Sequence, residues 1–130
     1  MSNKHKILVV EDEQELRAVL SDFLRKAGFE VFEAENGTRG LVMAEENQPG
    51  LILLDIRMPE MSGYEMLRKL RASGNWGAHV PTIFLTNIQP ENDQERADVE
   101  AMEPMHYFIK SDTDLDDFVL KIRAILGPDK

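Results

Sequence analysis

The sequence predicts an α/β fold in which helices cover both faces of a parallel sheet. Short apolar runs alternate five times with longer segments of helical periodicity along the 130 residues, and right-handed crossovers convert such a repeat into a doubly wound parallel sheet. The run at 51–54 is apolar at every position, as expected of a central strand covered on both faces. Four of the runs end directly in polar residues, at the edge where open parallel sheets bind ligands. We therefore expect a single (βα)5 domain.

Periodicity predicts the first two strand–helix units. A β-branched apolar run predicts a strand at 6–10, and apolar residues three and four apart predict a helix at 13–27. Gly28 ends that helix, since glycine readily follows a last helical turn. Alternating apolar and polar residues predict a half-buried strand at 30–34, and a short helix at 38–46 follows it.

The next two strands enclose a capped helix. The apolar run at 51–54 predicts the third strand. Ser62 and Glu65 match a capping box, which predicts the start of a third helix. The segment 74–81 begins with Gly and ends with Pro, so we expect a loop there before a fourth strand at 82–86.

The last part of the chain completes the repeat. A weak apolar stripe predicts a helix at 90–102, and the run at 106–109 predicts the fifth strand. A strong amphipathic pattern predicts the last helix at 113–126. We expect residues 1–130 to form one domain with these five strands.

Composition excludes several classes of protein. The formal net charge of −9 makes the chain a poor nucleic-acid binder by itself. Its apolar runs are too short to span a bilayer, and its N-terminus lacks a signal-peptide core. The absence of cysteine excludes disulfides and thiolate metal sites. We therefore expect a cytoplasmic protein with no direct nucleic-acid or membrane partner.

The polar residues after the strands form a chemically coherent set. Glu11 and Asp12 follow the first strand, Asp55 the third, and Lys110 the fifth, while Thr86 ends the fourth. Because these strand ends converge on one crevice, their side chains are expected to share a small volume. The carboxylates would repel one another without a cation, and oxygen-only ligands favour a hard ion such as Mg²⁺. The ammonium and hydroxyl suit a phosphoryl group.

Position assigns a role to each residue. Asp55 follows the most apolar and hence most central strand, so it is the candidate nucleophile for an aspartyl phosphate. Glu11 and Asp12 are better placed as metal ligands. Lys110 can balance phosphoryl charge and Thr86 can donate a hydrogen bond to it. A competing interpretation is that these carboxylates only cap the next helix, which concerns Glu11 and Asp12 more than Asp55.

Four segments resemble the receiver domains of two-component response regulators. They are ILVVEDE at 7–13, LLDIRMPEMSG at 53–63, FLT at 84–86 and YFIK at 107–110. The resemblance covers essentially the whole chain, and the segment around Asp55 is its most specific part. It implies the strand order 2-1-3-4-5 of the flavodoxin-like and CheY-like fold.

The resemblance also implies a mechanism. Asp55 would accept a phosphoryl group from a sensor histidine kinase or phosphotransfer protein. Mg²⁺, or Mn²⁺ in its place, would be held by Glu11, Asp12, Asp55 and the backbone carbonyl of Arg57. Thr86 would then move towards the phosphoryl group and Tyr107 would turn inward. The surface of the fourth predicted helix, fifth strand and fifth helix would change and meet a downstream partner or output, with a phosphorylation-dependent homodimer as one form.

Three segments depart from the family pattern. Ser111 replaces the usual proline after Lys110, and a trans bond is expected there because a cis bond without proline costs about 3–4 kcal/mol. Asn87 replaces a small residue after Thr86, so we expect it to crowd water and lengthen the phosphoryl lifetime. Residues 102–105 replace the usual Gly-Ala segment, which points to an atypical signalling face.

We expect a phosphoacceptor switch that acts on no separate metabolite and is not an enzyme in that sense. Three other functions are alternatives to it. A haloacid-dehalogenase-like phosphatase also uses an Asp nucleophile and Mg²⁺, but it needs a second Asp where this chain has Arg57. A degenerate receiver would bind partners constitutively, although the acidic residues, Thr86 and Lys110 are intact. A flavodoxin-like flavin carrier is disfavoured because the first strand-to-helix loop is acidic.

Overall fold

A computed structural model describes residues 5–86, 106–109 and 115–127. Its strands are β1 (Lys6–Val10), β2 (Glu30–Ala34), β3 (Leu51–Asp55), β4 (Thr82–Thr86) and β5 (His106–Ile109). Its helices are α1 (Gln14–Lys26), α2 (Gly37–Asn47), α3 (Gly63–Arg71), α4 (Asn75–His79) and α5 (Leu115–Leu126). Within these described ranges, no helix is long and apolar enough to cross a bilayer.

The five strands form one sheet in the order β2-β1-β3-β4-β5, and every neighbouring pair is parallel. The predicted fold class and strand order are therefore confirmed. β3 is central and buried along its whole length, which explains why its sequence is apolar on both faces. In the register, Val10, the last residue of β1, lies opposite Leu54 of β3, so β1 ends one residue before β3.

The alternation of side chains along each strand divides the core into two layers. One layer packs against α2 and α3 and includes Leu8, Val10, Ile52, Leu54, Met66, Leu67 and Leu70. The other packs against α1 and α5 and includes Ile7, Val9, Leu51, Leu53, Leu24, Phe118 and Ile122. Each fully buried aliphatic side chain contributes roughly 1.5–3 kcal/mol. Helices thus cover both faces of the sheet, and the loops lie at the ends of its strands.

Local capping fixes where the helices on the α2–α3 side begin. The side chain of Asn36 accepts a hydrogen bond from the N–H of Arg39 at 2.8 Å, which caps α2. Ser62 Oγ accepts from the N–H of Glu65 at 3.2 Å and caps α3, as the capping box predicts. Both caps lie at the carboxyl edge of the sheet.

The prediction of a loop at 74–81 is wrong, because this segment contains α4. Trp76 on α4 is partly buried and packs against the core layer on the α2–α3 side. Arg71 holds α4 in place, since its Nη1 donates to the carbonyls of Gly77 and Val80 at 3.0 and 2.8 Å. The helix predicted at 90–102 lies outside the described residues.

Candidate functional site

Three carboxylates meet at the carboxyl edge of the sheet. Glu11 follows β1 directly and Asp55 ends β3, and these neighbouring strands are paired in register up to Val10 and Leu54. Asp12 lies in the turn between β1 and α1. One carboxylate oxygen from each of Glu11, Asp12 and Asp55 lies within 4.8 Å of the others. The structure thus brings together the three acidic residues that the sequence singled out.

Burial distinguishes the members of this acidic cluster (Glu11, Asp12 and Asp55). The relative exposure is 0% for Glu11 and 4% for Asp55, whereas Asp12 is exposed. Negative groups this close repel one another strongly where water is excluded. A divalent cation with oxygen ligands would relieve that repulsion, and Asp12 would face its solvent side.

The contacts of Glu11 argue against the interpretation that Glu11 and Asp12 only cap the helix α1. The N-cap of α1 is Glu13, whose side chain makes no capping hydrogen bond. Glu11 Oε1 instead accepts from the backbone N–H of Glu13 at 3.2 Å. This contact orients the Glu11 carboxylate at the turn, and within the described residues neither Glu11 nor Asp12 acts as the N-cap of α1.

The backbone of Glu11 is held on both sides of its Cα. Its N–H donates to the carbonyl of Ala34 at 3.1 Å, which extends the pairing of β1 with β2 by one bond. Its carbonyl accepts from Arg17 Nη1 at 2.7 Å, a short charge-assisted hydrogen bond from α1. Sequence reasoning missed Arg17, because its polar position on an amphipathic helix carries no signal of this contact.

The loop after Asp55 is clamped between β3 and α3. The N–H of Ile56 donates to the carbonyl of Leu85 at 3.4 Å, and the N–H of Gly63 donates to the carbonyl of Ile56 at 2.8 Å. A Cβ on Gly63 would overlap the carbonyl oxygen of Asp55 and lie 2.9 Å from the Cα of Ile56. Glycine therefore permits α3 to start directly against the end of β3.

Arg57 and a pocket belong to the segment that follows Asp55. Arg57, the predicted backbone ligand, is the second residue after Asp55 in the clamped loop, and its side chain is exposed. A cavity of about 450 Å³ is lined by Ile56, Arg57, Met58, Ser62 and Tyr64. The ring of Tyr64, one of the lining residues, packs edge to face on the ring of Phe84, with 5.4 Å between centroids.

The remaining predicted residues lie in or after β4 and β5. Thr86 is the last residue of β4 and pairs in register with Ile109 of β5, and Tyr107 of β5 pairs with Phe84. The backbone thus aligns the ends of β4 and β5 at the edge that carries the acidic cluster. Lys110, Asn87 and Ser111 lie outside the described residues, as do residues 102–105.

Comparison with known sequences finds a family model and relatives that cover most of this chain. Residues 7–123 match the family model described as response regulator receiver domain. The polar-differentiation response regulator DivK of Brucella anthropi is 30% identical over 121 residues, covering 93% of this chain and 95% of DivK. The KDP operon transcriptional regulatory protein KdpE of Escherichia coli is 43% identical over 88 residues, covering 68% of this chain but only 37% of KdpE.

Solved structures show the same fold. The chemotaxis protein CheY4 of Vibrio cholerae matches with a TM-score of 0.86 at 23% identity, over 95% of this chain and 100% of CheY4. The receiver domain of the sensor histidine kinase PA1611 of Pseudomonas aeruginosa matches with a TM-score of 0.84 at 28% identity, over 97% of this chain and 100% of that domain. The PA1611 structure has a magnesium ion coordinated in its active site cleft.

Proposed function

The chain belongs to the family of response regulator receiver domains, and from this premise we propose that it is a Mg²⁺-dependent phosphoacceptor whose acceptor is Asp55. Receiver domains serve generally as phosphorylation switches in two-component signalling. The observation that carries the proposal for this chain is the acidic cluster, in which three carboxylate oxygens lie within 4.8 Å of one another at the ends of β1 and β3.

The donor set of the cluster fits Mg²⁺. All three ligand atoms are carboxylate oxygens, the hard donors that Mg²⁺ prefers, and Asp12 is exposed to the water that this ion retains. Glu11, Asp12, Asp55 and the backbone carbonyl of Arg57 would hold the ion, and Mn²⁺ would substitute for it. When bound, the ion would lower the electrostatic cost of bringing a phosphoryl group to a carboxylate.

The proposed transfer forms one bond and breaks one bond. An oxygen of Asp55 attacks the phosphorus of a phosphohistidine on the kinase or phosphotransfer protein. The P–N bond breaks, and the imidazole nitrogen keeps the electron pair and takes up a proton. Lys110 pairs with a phosphoryl oxygen and Thr86 donates a hydrogen bond to another. Gly63 lies directly against the Asp55 carbonyl and so limits movement of that backbone towards α3 during the attack.

The output of the switch is proposed from the same residues. Thr86 moves towards the phosphoryl group, and Tyr107 turns inward to occupy the space that it leaves. The surface of the segment 90–102, β5 and α5 then changes and contacts a downstream protein or a second phosphorylated copy. Because this chain spans only about a third of relatives such as KdpE, the partner and any attached output are part of the proposal.

The chain acts, in this proposal, only on its own phosphoryl group, in the cytoplasm. Family membership argues against the phosphatase and flavin-carrier alternatives. The degenerate receiver, which would bind partners without phosphorylation, remains the rival within the family. Uptake of a phosphoryl group distinguishes it from the switch.

Intact-mass spectrometry with acetyl phosphate and Mg²⁺ tests the proposal. The wild-type chain should gain the mass of one phosphoryl group, and peptide mapping should place it on Asp55. Asp55→Asn should gain none, whereas the matched variant Asp22→Asn, on the exposed side of α1, should behave as wild type. An unchanged wild-type mass would support the degenerate receiver, and a group on another residue would refute the role of Asp55.

A further inference from the structure

The peptide between Glu11 and Asp12 is contacted by a cation on α1. Arg17 Nη1 donates to the carbonyl oxygen of Glu11 at 2.7 Å. This oxygen belongs to the peptide bond that leads into Asp12. A short bond from a charged donor is among the strongest single contacts that a backbone carbonyl can make. The direction of that peptide plane is therefore set by the guanidinium of Arg17.

The guanidinium is itself held by β2. The side chain of Arg17 is 17% exposed, and its Nε lies 3.7 Å from Oε1 of Glu33. The other oxygen of Glu33 accepts from Arg25 Nη2 at 3.2 Å, and Arg25 also donates to the carbonyl of Val31 at 3.0 Å. We call Arg17, Glu33 and Arg25 the α1–β2 charge chain. It extends from the edge strand of the sheet to the acidic cluster.

Asp12 depends on this backbone support. It is exposed, and within the described part of the chain its carboxylate makes no hydrogen bond or ion pair of its own. Its position in the cluster is then determined by the backbone that carries it. That backbone is fixed by the Ala34 carbonyl on one side of Glu11 and by Arg17 on the other.

We propose that Arg17 is a positioning residue for metal binding, which holds the Glu11–Asp12 peptide so that Asp12 stays within ligand distance of Glu11 and Asp55. This inference rests on the proposed function. Removal of a group that contacts a metal ligand but not the metal itself typically changes metal affinity by about 10–100-fold. Arg17 acts through a carbonyl, and Glu33 offsets its charge.

The direction in which Arg17→Ala changes Mg²⁺ affinity distinguishes a positioning role from a purely electrostatic one. Removal of a cation beside three carboxylates would, by Coulomb's law alone, strengthen the binding of Mg²⁺. Loss of positioning would weaken it. A purely structural role would lower the free energy of unfolding and leave the affinity for Mg²⁺ unchanged. The three possibilities therefore predict three different results for Arg17→Ala.

The experiment is calorimetric titration of the full chain with Mg²⁺, together with the Mg²⁺ dependence of phosphorylation by acetyl phosphate. Arg17→Ala should raise the Kd for Mg²⁺ about tenfold, while the phosphorylation rate at saturating Mg²⁺ stays near that of wild type. Arg17→Lys keeps a charged donor but loses the planar guanidinium that contacts both Glu11 and Glu33, so its Kd should fall between those of wild type and Arg17→Ala. Arg68→Ala removes the same charge from the last turn of α3 and should have no effect.

The outcomes are distinct. An unchanged or lower Kd for Arg17→Ala overturns the positioning role, as does an equal loss in Arg68→Ala. A lower rate at saturating Mg²⁺ with an unchanged Kd also overturns it. If wild type itself binds no Mg²⁺, the proposed function fails and the inference fails with it. Binding by wild type with no change in Arg17→Ala refutes the inference alone.

Discussion

Gly63, the first residue of α3, lies directly against the backbone carbonyl of Asp55, the last residue of β3. A side chain at Gly63 would overlap that carbonyl, so the helix and the strand end approach as closely as backbone atoms permit. The N–H of Gly63 also donates to the carbonyl of Ile56 at 2.8 Å. The reactive carboxylate of the proposed function thus stands on a strand end whose backbone cannot shift towards α3.

This contact predicts a large effect of the smallest possible substitution. Gly63→Ala forces α3 and the loop after Asp55 apart, and we expect it to destabilise the fold by about 1–3 kcal/mol. Displacement of Asp55 by even a fraction of an ångström should also slow phosphorylation by acetyl phosphate, by about tenfold or more. Urea unfolding and intact-mass time courses measure the two effects.

Gly50→Ala is the matched control for that change. A Cβ at Gly50 would come no closer than 3.2 Å to another heavy atom, the tip of the flexible Leu126 side chain. Its stability should change by less than about 0.5 kcal/mol. Equal phosphorylation rates in Gly63→Ala and wild type would contradict the positioning role of the contact.

The acidic cluster predicts that Mg²⁺ stabilises the fold. An ion that binds only the folded chain adds about 2.7 kcal/mol at one hundred times its Kd. Asp12→Asn should weaken Mg²⁺ binding more than about tenfold and remove most of this gain. In the presence of a chelator the same variant should be slightly more stable than wild type, because one of three mutually repelling carboxylates is gone.

Thermal unfolding with Mg²⁺ and with a chelator measures both the loss of stabilisation by Mg²⁺ and the gain in stability without it. Glu45→Gln, an exposed change on α2, serves as the charge-matched control and should keep the full response to Mg²⁺. The same Mg²⁺ response in Asp12→Asn as in wild type would exclude Asp12 from the metal site.

The layers of the fold and the acidic cluster were predictable because they follow from local patterns. The run at 51–54 is apolar at each position and becomes β3, buried along its length. Glu11 and Asp55 follow apolar runs directly, and parallel strands that end at one level bring such residues together. Both inferences need only short stretches of sequence and the general rule for parallel strands.

Side-chain contacts between neighbouring elements were not predictable from the pattern within either element. Arg17 contacts the Glu11 carbonyl because of the way α1 packs on β1, and no residue pattern records that packing. The segment of α4 predicts a loop because it begins with Gly74 and ends with Pro81, yet it is helical. It forms because Arg71 binds the carbonyls of Gly77 and Val80 and because Trp76 packs on the core.

These contacts of α4 yield a prediction about stability alone. Arg71→Ala removes two hydrogen bonds from a charged donor, at 3.0 and 2.8 Å, and should destabilise the fold by about 1.5–3 kcal/mol. Because α4 packs beside α3 and away from the acidic cluster, the Kd for Mg²⁺ should stay within about twofold of wild type. Urea unfolding and metal titration check the two statements. A large change in the Kd for Mg²⁺ would contradict the claim that α4 does not affect the acidic cluster.

Two serines give opposite predictions for the same substitution. Ser21 on α1 is fully buried, and its hydroxyl has no hydrogen-bond partner within the described residues. Because an unsatisfied buried hydroxyl is costly, Ser21→Ala should stabilise the fold by about 1 kcal/mol. Ser62 caps α3 through its bond to the N–H of Glu65, so Ser62→Ala should destabilise it by about 1 kcal/mol. Urea unfolding of both variants beside wild type provides the measurement. A loss of stability in Ser21→Ala would mean that its hydroxyl is satisfied in solution.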